Sequence, residues 1–362
     1  MSKPRLISFY LPQFYPTPEN DEWWQKGFTE WTNVGNAKPL FRGHYQPRVP
    51  ADLGYYDLRL PEVREQQAEM AREAGIEGFC YWHYWFAGRR LLDRVFSEVV
   101  KSGKPDFPFC LCWANHSWYR KTWDPSKPDK LLIEQTYPGE KDYIEHFNAM
   151  LPAFKDKRYI RVNGKLLFGV FSAKDIAKEQ FKLFAEVWND LAQKNDLGGF
   201  EFFGFSFELN RYEEIIDKGF DNMTIDCIME LLHKSSFTKN VAKWLYRGVS
   251  GRPNKIYSYQ NYANFALNHF DVSKKEYPCI LPNFDHSPRS AIRGYILHRS
   301  TPEKWGELCT KVFDMFADRP HEENIVFLKA WNEWGEGNYL EPDLKYGKGY
   351  LDALRKAYDN CR

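Results

Sequence analysis

The chain has 362 residues, 43% of them hydrophobic, and its 50 Lys+Arg nearly balance its 49 Asp+Glu. That length and apolar content supply a large core, and the balanced charge argues against the strong one-sign field that nucleic acid or an anionic membrane surface would select. Aromatic residues reach 17%, with 13 Trp, 22 Tyr and 28 Phe; Trp and Tyr fill cores but also line sites for flat, partly apolar ligands such as sugar rings.

The expected elements alternate from end to end. A first strand over residues 6–14 is followed by a helix over 61–74, with Pro61 suited to a first helical turn and Gly75 to a stop. A strand over 76–85 leads to a helix over 91–101, and a strand over 107–114 to a helix over 143–154. The fourth strand, 166–172, precedes a long helix over 174–194, and the fifth, 200–207, a short one over 211–217. The sixth strand, 222–227, is followed by one or two helices near 242–246 and 259–270. The seventh strand, 277–284, leads to a helix over 302–316. The eighth, 324–331, ends in Trp331-Asn332-Glu333-Trp334-Gly335-Glu336-Gly337 before a last helix over 349–358.

Eight strand-then-helix units predict a parallel sheet covered by helices, and closing it gives a single (β/α)₈ TIM barrel spanning residues 1–362. An open doubly wound sheet is the competing arrangement. No linker-like stretch or internal repeat divides the chain. Two connections exceed what a barrel needs: residues 15–60, rich in Trp, Pro and Gly, and residues 228–258, which carry Lys234, Lys239, Lys243, Arg247, Arg252 and Lys255. Both are expected at the C-terminal face, where barrels keep their active sites. The basic loop reads equally as a binding wall or a solvated surface.

The seven cysteines are Cys80, Cys110, Cys112, Cys227, Cys279, Cys309 and Cys361. Several sit in apolar runs and none has zinc-ligand spacing, so reduced structural thiols are expected. Met1 to Arg5 lead straight into an apolar strand, without a signal-peptide core or transmembrane run. The expected location is therefore cytoplasmic, or periplasmic if a leader was trimmed, with no stable membrane insertion.

Polar and aromatic residues gather where the proposed strands end. The second strand runs into Tyr81-Trp82-His83-Tyr84-Trp85 and the third into Trp113-Ala114-Asn115-His116-Ser117-Trp118. The fifth ends at Glu208 and Asn210, and the seventh in Asn283-Phe284-Asp285-His286. A barrel brings these ends around one mouth. Glu333 and Glu336, three apart, would face opposite sides of a straight strand, but Gly335 and Gly337 permit a turn that aims both into the mouth. Glycosidic cleavage needs one carboxyl to protonate the leaving oxygen and a second to serve the anomeric carbon, and two close carboxyls push their pKa values apart. These residues are the candidate catalytic pair; a surface turn with two solvated glutamates is the plain alternative. His83 and His116 read either as sugar-binding or as satisfied core histidines, and Trp82, Trp85 and Trp113 either as ligand platforms or as barrel filling. A metal site from His83, His116, His286 and Asp285 lacks ligand spacing, and no metal or cofactor is expected.

Several segments together resemble the WbsX-type family, a branch related to glycoside hydrolase family 99. They are Tyr10 to Phe14, Gly27 to Asn33, His44 to Arg48, Gly78 to Phe86 and Trp331 to Pro342, and the resemblance runs from residue 6 to about 345. It implies a (β/α)₈ barrel and a retaining, endo-acting hydrolase of α-mannosides, with both catalytic glutamates in an Asn-Glu-Trp-x-Glu-Gly motif. Here that motif is Asn332 to Gly337. The resemblance implies Glu333 as the base that helps the substrate's own 2-hydroxyl attack the anomeric carbon, and Glu336 as the general acid/base. It also implies a place in surface-polysaccharide biosynthesis. The family pattern Trp-Ala-Asn-Glu-Asn-Trp is here Trp113 to Trp118, with His116 in place of a carboxylate, which puts the substrate's identity in question. Strand ends and resemblance together nominate Tyr10, Gln13, Trp31, His44, Tyr81, His83, Trp113, Asn115, His116, Asp285, Trp331, Asn332 and Trp334 as substrate-binding residues for an oligo- or polysaccharide.

Three functions follow. The leading one is a retaining glycosidase or transglycosidase. A nucleotide-sugar glycosyltransferase is the second; the sequence has no Asp-x-Asp metal motif or Gly-rich phosphate loop, and nucleotide-diphosphate calorimetry would discriminate it. A non-catalytic polysaccharide-binding protein is the third, and the intact glutamate pair argues against it.

Overall fold

In the computed structural model, which describes residues 2–120, 129–233, 253 and 255–361, eight parallel strands close on themselves. They are β1 (Arg5–Tyr10), β2 (Gly78–Phe86), β3 (Phe109–Trp113), β4 (Lys165–Val170), β5 (Phe200–Ser206), β6 (Asn222–Ile225), β7 (Glu276–Ile280) and β8 (Ile325–Leu328). Each pairs with its neighbours in chain order, and β1 pairs with both β2 and β8, so the sheet has no edge. Each strand is followed by a helix: α1 (Pro61–Glu73), α2 (Arg94–Ser102), α3 (Glu140–Phe154), α4 (Lys178–Lys194), α5 (Tyr212–Asp217), α6 (Tyr259–Leu267), α7 (Pro302–Phe316) and α8 (Gly349–Asn360). The fold is the (β/α)₈ barrel that the alternation predicts.

Side chains alternate between the barrel interior and the helix layer, as the strand period of two requires. Phe9 points inward and stacks on Trp82 at 4.6 Å and on Phe327 at 5.0 Å between ring centroids. Tyr10, the next residue, points outward and donates its hydroxyl to Gln67 of α1 at 2.7 Å. Gly169 of β4 is glycine for a packing reason: a Cβ there would collide with the Phe203 ring and Cys112 Sγ. All seven cysteines are buried free thiols. No helix among the described residues is long and apolar enough to cross a membrane.

All the strands but β2, which runs one residue further to Phe86, end earlier than the apolar runs suggest, and for β1 and β7 the reason is identifiable. β1 stops at Tyr10 rather than continuing to residue 14. The Asn332 side chain takes both backbone groups of Leu11, accepting from its N–H at 2.7 Å and donating to its carbonyl at 3.0 Å. β7 stops at Ile280 rather than 284, because Tyr262 accepts from the Leu281 N–H at 3.0 Å and Tyr259 donates to the Leu281 carbonyl at 2.8 Å. Backbone groups satisfied by side chains have no need of the ladder.

The loop between β1 and α1 holds two short helices, Pro18–Trp23 and Glu30–Asn36, begun by Thr17 and Thr29 as N-caps. The connection between β3 and α3 contains an antiparallel pair, Trp118–Arg120 with Lys130–Ile133, and is a third long loop that the sequence reading does not single out. The expected helix at 242–246, and Lys234, Lys239, Lys243, Arg247 and Arg252 of the basic loop, lie outside the described residues.

Candidate active site

At the C-terminal mouth of the barrel lies a cleft of about 990 Å³, at the upper end of the roughly 300–1,000 Å³ common for small-molecule sites. Glu333 and Glu336 both line it. The backbone after β8 explains how residues three apart share one side. Asn332–Glu333 pairs antiparallel with Asn338–Tyr339, and Trp334–Glu336 between them form a single 3₁₀ turn. With three residues per turn, positions i and i+3 eclipse. Gly337 closes the hairpin in the left-handed region, at φ 51°, and a Cβ there would sit 2.8 Å from Asp285 Cβ. Gly335 serves a different purpose from the turn expected of it: a Cβ there would overlap the Glu30 carboxylate.

The two glutamates have opposite surroundings. Glu333 accepts a hydrogen bond from Trp82 Nε1 at 2.8 Å. Burial raises its pKa above the ordinary carboxyl range, and the neighbouring Glu336 charge adds to this. Burial pushes Glu336 upward too, but Arg289 and then Lys329 outweigh it and hold Glu336 below the usual range. Arg289 Nη1 donates to Glu336 Oε1, while its Nε and Nη2 lie 3.1 and 3.0 Å from Glu30 Oε2. Lys329 Nζ is 3.9 Å from Glu336 Oε2 and 3.1 Å from Asp226 Oδ2. The two carboxyl groups are close enough for each to shift the other's pKa. The cluster thus sets four carboxyls against two permanent cations, and a proton on Glu333 eases the imbalance.

Of the nominated binding residues, Gln13 and His116 line this cleft. His116 packs its ring on Phe171 at 5.2 Å, and burial lowers its pKa. The others stand elsewhere. Tyr10 and Tyr81 face the helix layer, Tyr81 packing on Phe96 of α2 at 5.2 Å. His83 also faces outward, with its Nε2 2.7 Å from His146 Nε2 of α3. Trp113 donates to the Trp85 carbonyl at 3.0 Å. Asn115 ties two strand ends together, accepting from the Ser172 N–H at 2.7 Å. Trp31 packs on Phe14 and Trp334 and donates to the Tyr56 carbonyl at 2.7 Å. Trp331 is fully buried, Asn332 clamps Leu11, and Trp334 stacks on Tyr339 at 3.7 Å. His44 and Asp285 are paired, 2.8 Å apart, in a separate cavity.

The structure adds residues that the sequence reading leaves out. Tyr84 lines the cleft beside Trp82. Glu30 sits inside the Gly27 to Asn33 segment, whose signal was read for its tryptophan. Lys329 had a usable signal, since it is a lone charge at the end of the apolar run Ile325 to Leu328. Arg289, in Ser287-Pro288-Arg289-Ser290, reads as surface and gave none.

Comparison with known proteins agrees with this architecture. A family model described as Glycosyltransferase WbsX matches residues 6–354. Protein WxcX of two Xanthomonas campestris pv. campestris strains is 36% identical over 97% of this chain and 49% of WxcX. The chain therefore spans about half the length of the curated relatives it matches. Among solved structures, a glycoside hydrolase-like protein superposes with a TM-score of 0.62 at 15% identity, covering 99% of this chain and 94% of that one. The GH99 endo-alpha-mannosidase from Bacteroides thetaiotaomicron superposes with a TM-score of 0.60 at 15% identity, covering 100% of this chain and 98% of that one. At these identities the likeness concerns the fold.

Proposed function

This chain belongs to the WbsX glycosyltransferase family, a family of carbohydrate-active enzymes, and from that premise we propose that Glu333 and Glu336 cleave or transfer an α-mannoside-like glycosidic bond, or a related bond of a surface polysaccharide, with retention. The observation that carries the reading is the pair itself: two carboxyls lining one cleft, Glu333 buried against Trp82 and Glu336 held by Arg289 and Lys329.

Under the neighbouring-group mechanism that the family resemblance implies, Glu333 takes the proton of the 2-hydroxyl as that oxygen attacks the anomeric carbon. Glu336 gives its proton to the leaving oxygen. A water or an acceptor hydroxyl then opens the anhydro-sugar, losing its proton to Glu336, while Glu333 returns a proton to the 2-oxygen. These roles need the pair's one proton on Glu336 when sugar is bound. In the free protein the charges favour it on Glu333, because both cations contact Glu336. We take that as the resting state, with the proton passing to Glu336 as the leaving oxygen docks.

The test is leaving-group dependence. Glu336→Gln should recover cleavage on a glycoside whose leaving group needs no protonation, and Glu333→Gln should not. Recovery in Glu333→Gln instead would exchange the two roles, and turnover unchanged in both variants would remove the pair from catalysis. The choice between hydrolysis and transfer rests on the acceptor. Trp24 and Tyr119, 41% and 48% exposed at the cleft rim, offer ring faces for an acceptor sugar, which favours transfer. Chromatography of products formed with added acceptor sugars distinguishes the two outcomes.

A further inference from the structure

Behind the catalytic turn is a second cavity, of about 510 Å³, bounded by segments that follow β1, β7 and β8. The turn separates it from the cleft. At the end of β7, Phe284 and His286 face the cleft while Asp285 between them faces the second cavity. The His44 to Arg48 segment forms one wall, and the proposed reaction gives it no role.

The charges of this cavity are unequally committed. Its two carboxylates are consumed by protein donors. Asp285 accepts from His44 Nε2 at 2.8 Å, Gln46 Nε2 at 2.7 Å and the Ser287 N–H at 3.0 Å. The Leu40 N–H donates to His44 Nδ1, so the His44 proton lies on Nε2 and the ring is neutral. Asp343 accepts from the Tyr339 hydroxyl at 2.6 Å and from the N–H groups of Lys345 and Tyr346 at 2.9 and 2.7 Å.

Three of the four cations are not committed in this way, and Arg48 is committed in part. Arg42, Arg299 and Lys345 line the cavity and have no ion pair with a carboxylate among the described residues; Lys345 lies over the rings of Tyr45 and Tyr346, at 4.6 and 4.7 Å. Arg48 is 8% exposed, donates Nη1 to the Gly337 carbonyl at 2.7 Å and has Nη2 3.9 Å from Asp285 Oδ2, and its buried Nε has no hydrogen-bond partner. A buried guanidinium donor left unpaired is costly and calls for an acceptor.

We propose that this cavity is a second ligand site, for a phosphate or diphosphate group, with Arg42, Arg48, Arg299 and Lys345 as its cationic walls. Guanidinium forks match the tetrahedral oxygens of phosphate, and the tyrosine faces suit a sugar or base attached to it. The site is independent of the reaction assigned to the cleft. It meets the hairpin after β8 through Arg48 on the Gly337 carbonyl, the Asp285 N–H on the Glu336 carbonyl at 2.6 Å, and Asn283 and Asp343 on Tyr339.

The experiment is calorimetric titration of the full chain with pyrophosphate, in the wild type, in Arg299→Ala/Lys345→Ala and in Glu336→Gln. Both residues of the double variant are exposed, so the fold should survive, which circular dichroism checks. Saturable binding is expected in the wild type and in Glu336→Gln. The double variant should bind about tenfold or more weakly, and added salt should weaken binding to the wild type. Uridine diphosphate and a sugar 1-phosphate, run in parallel, tell whether a nucleotide or a phosphorylated sugar is the better source of the group. No saturable binding, equal binding in the double variant, or tighter binding of glucuronate than of pyrophosphate would each overturn the proposal. Loss of binding in Glu336→Gln would instead assign the signal to the cleft.

Discussion

The ends of β2 and β8 look alike in sequence and do opposite things. One reads Tyr81-Trp82-His83-Tyr84-Trp85, the other Trp331-Asn332-Glu333-Trp334-Gly335-Glu336, and both interleave rings with titratable groups. β2 continues as a regular strand through Phe86, so its side chains alternate. Trp82 and Tyr84 reach the cleft, while His83 is sent into the helix layer against His146. β8 leaves its ladder at Leu328 and folds into a hairpin around a 3₁₀ turn, so Glu333 and Glu336 emerge together. All of these groups but Glu336, whose side chain is 18% exposed, are buried. What separates them is that Glu336 has two ion-pair partners, whereas His83 and His146 contact each other and aromatic rings. Burial then holds His83 down at about 3, with Arg90 adding to it. A neutral pair of tautomers needs only one donor and one acceptor; a buried carboxylate needs charge.

The two strand ends differ most sharply at Glu336. Glu336→Gln is expected to lower turnover of a glycoside with a poor leaving group by roughly 10²–10⁴, with a melting temperature at or above that of the wild type. A loss of activity that tracked a loss of fold would mean that the turn is structural, like the end of β2.

The converse substitution is His146→Ala. It removes the partner of His83 and the ring stacked on Trp85 at 4.6 Å, leaving a cavity worth about 3 kcal/mol by analogy with other large-to-small core changes. Denaturant unfolding should show that loss, while kcat/KM at a permissive temperature stays within about twofold of wild type. A large drop in kcat/KM with unchanged stability would put the β2 histidine in the chemistry and erase the distinction.

Arg289→Met probes what makes the β8 end different. It removes a charge-assisted hydrogen bond on Glu336, worth about 1.5–3 kcal/mol, and leaves Glu30 without its cation. The sign follows from the surroundings: Arg289 lowers the Glu336 pKa, so without it that pKa rises. The ionised form of the pair is then reached only at higher pH, and the low-pH limb of the rate profile should move up. A limb that stays in place would show that Lys329 alone sets the charge of Glu336.

Much of the fold was legible because each strand–helix unit repeats its own evidence, and a strand misjudged at one end does not alter the count. The strand ends were misread where a distant side chain, Asn332 on Leu11 or Tyr262 on Leu281, takes the backbone's hydrogen bonds. The glutamates were legible through their motif. Tyr10, Tyr81, His83 and Trp113 were not placed, because picking a residue by chemistry ignores which phase of the strand it occupies. Each sits one position from a residue that faces the barrel interior: Phe9, Trp82 or Cys112. Arg289 depends on a loop whose path follows no local rule, and only tertiary structure brings it to Glu336.

The smallest effect is the most selective. Trp82 belongs to the β2 end and Glu333 to the β8 end, and their 2.8 Å hydrogen bond is where the two regions meet. Trp82→Phe keeps a ring against Phe9 but removes the donor, at a cost of about 1–2 kcal/mol in a buried site. The bond lowers the Glu333 pKa against the upward push of burial, so its loss raises that pKa further. Glu333 then keeps its proton to higher pH, and the limb of the rate profile that reports loss of the pair's last proton should shift to higher pH. The limb controlled by Arg289 should stay where it is. Movement of both limbs together would mean that the pair titrates as one unit despite its unequal surroundings, and movement of neither that Trp82 serves only to pack the barrel. A shift confined to the upper limb would show that a ring on a regular strand tunes a carboxyl on an irregular one.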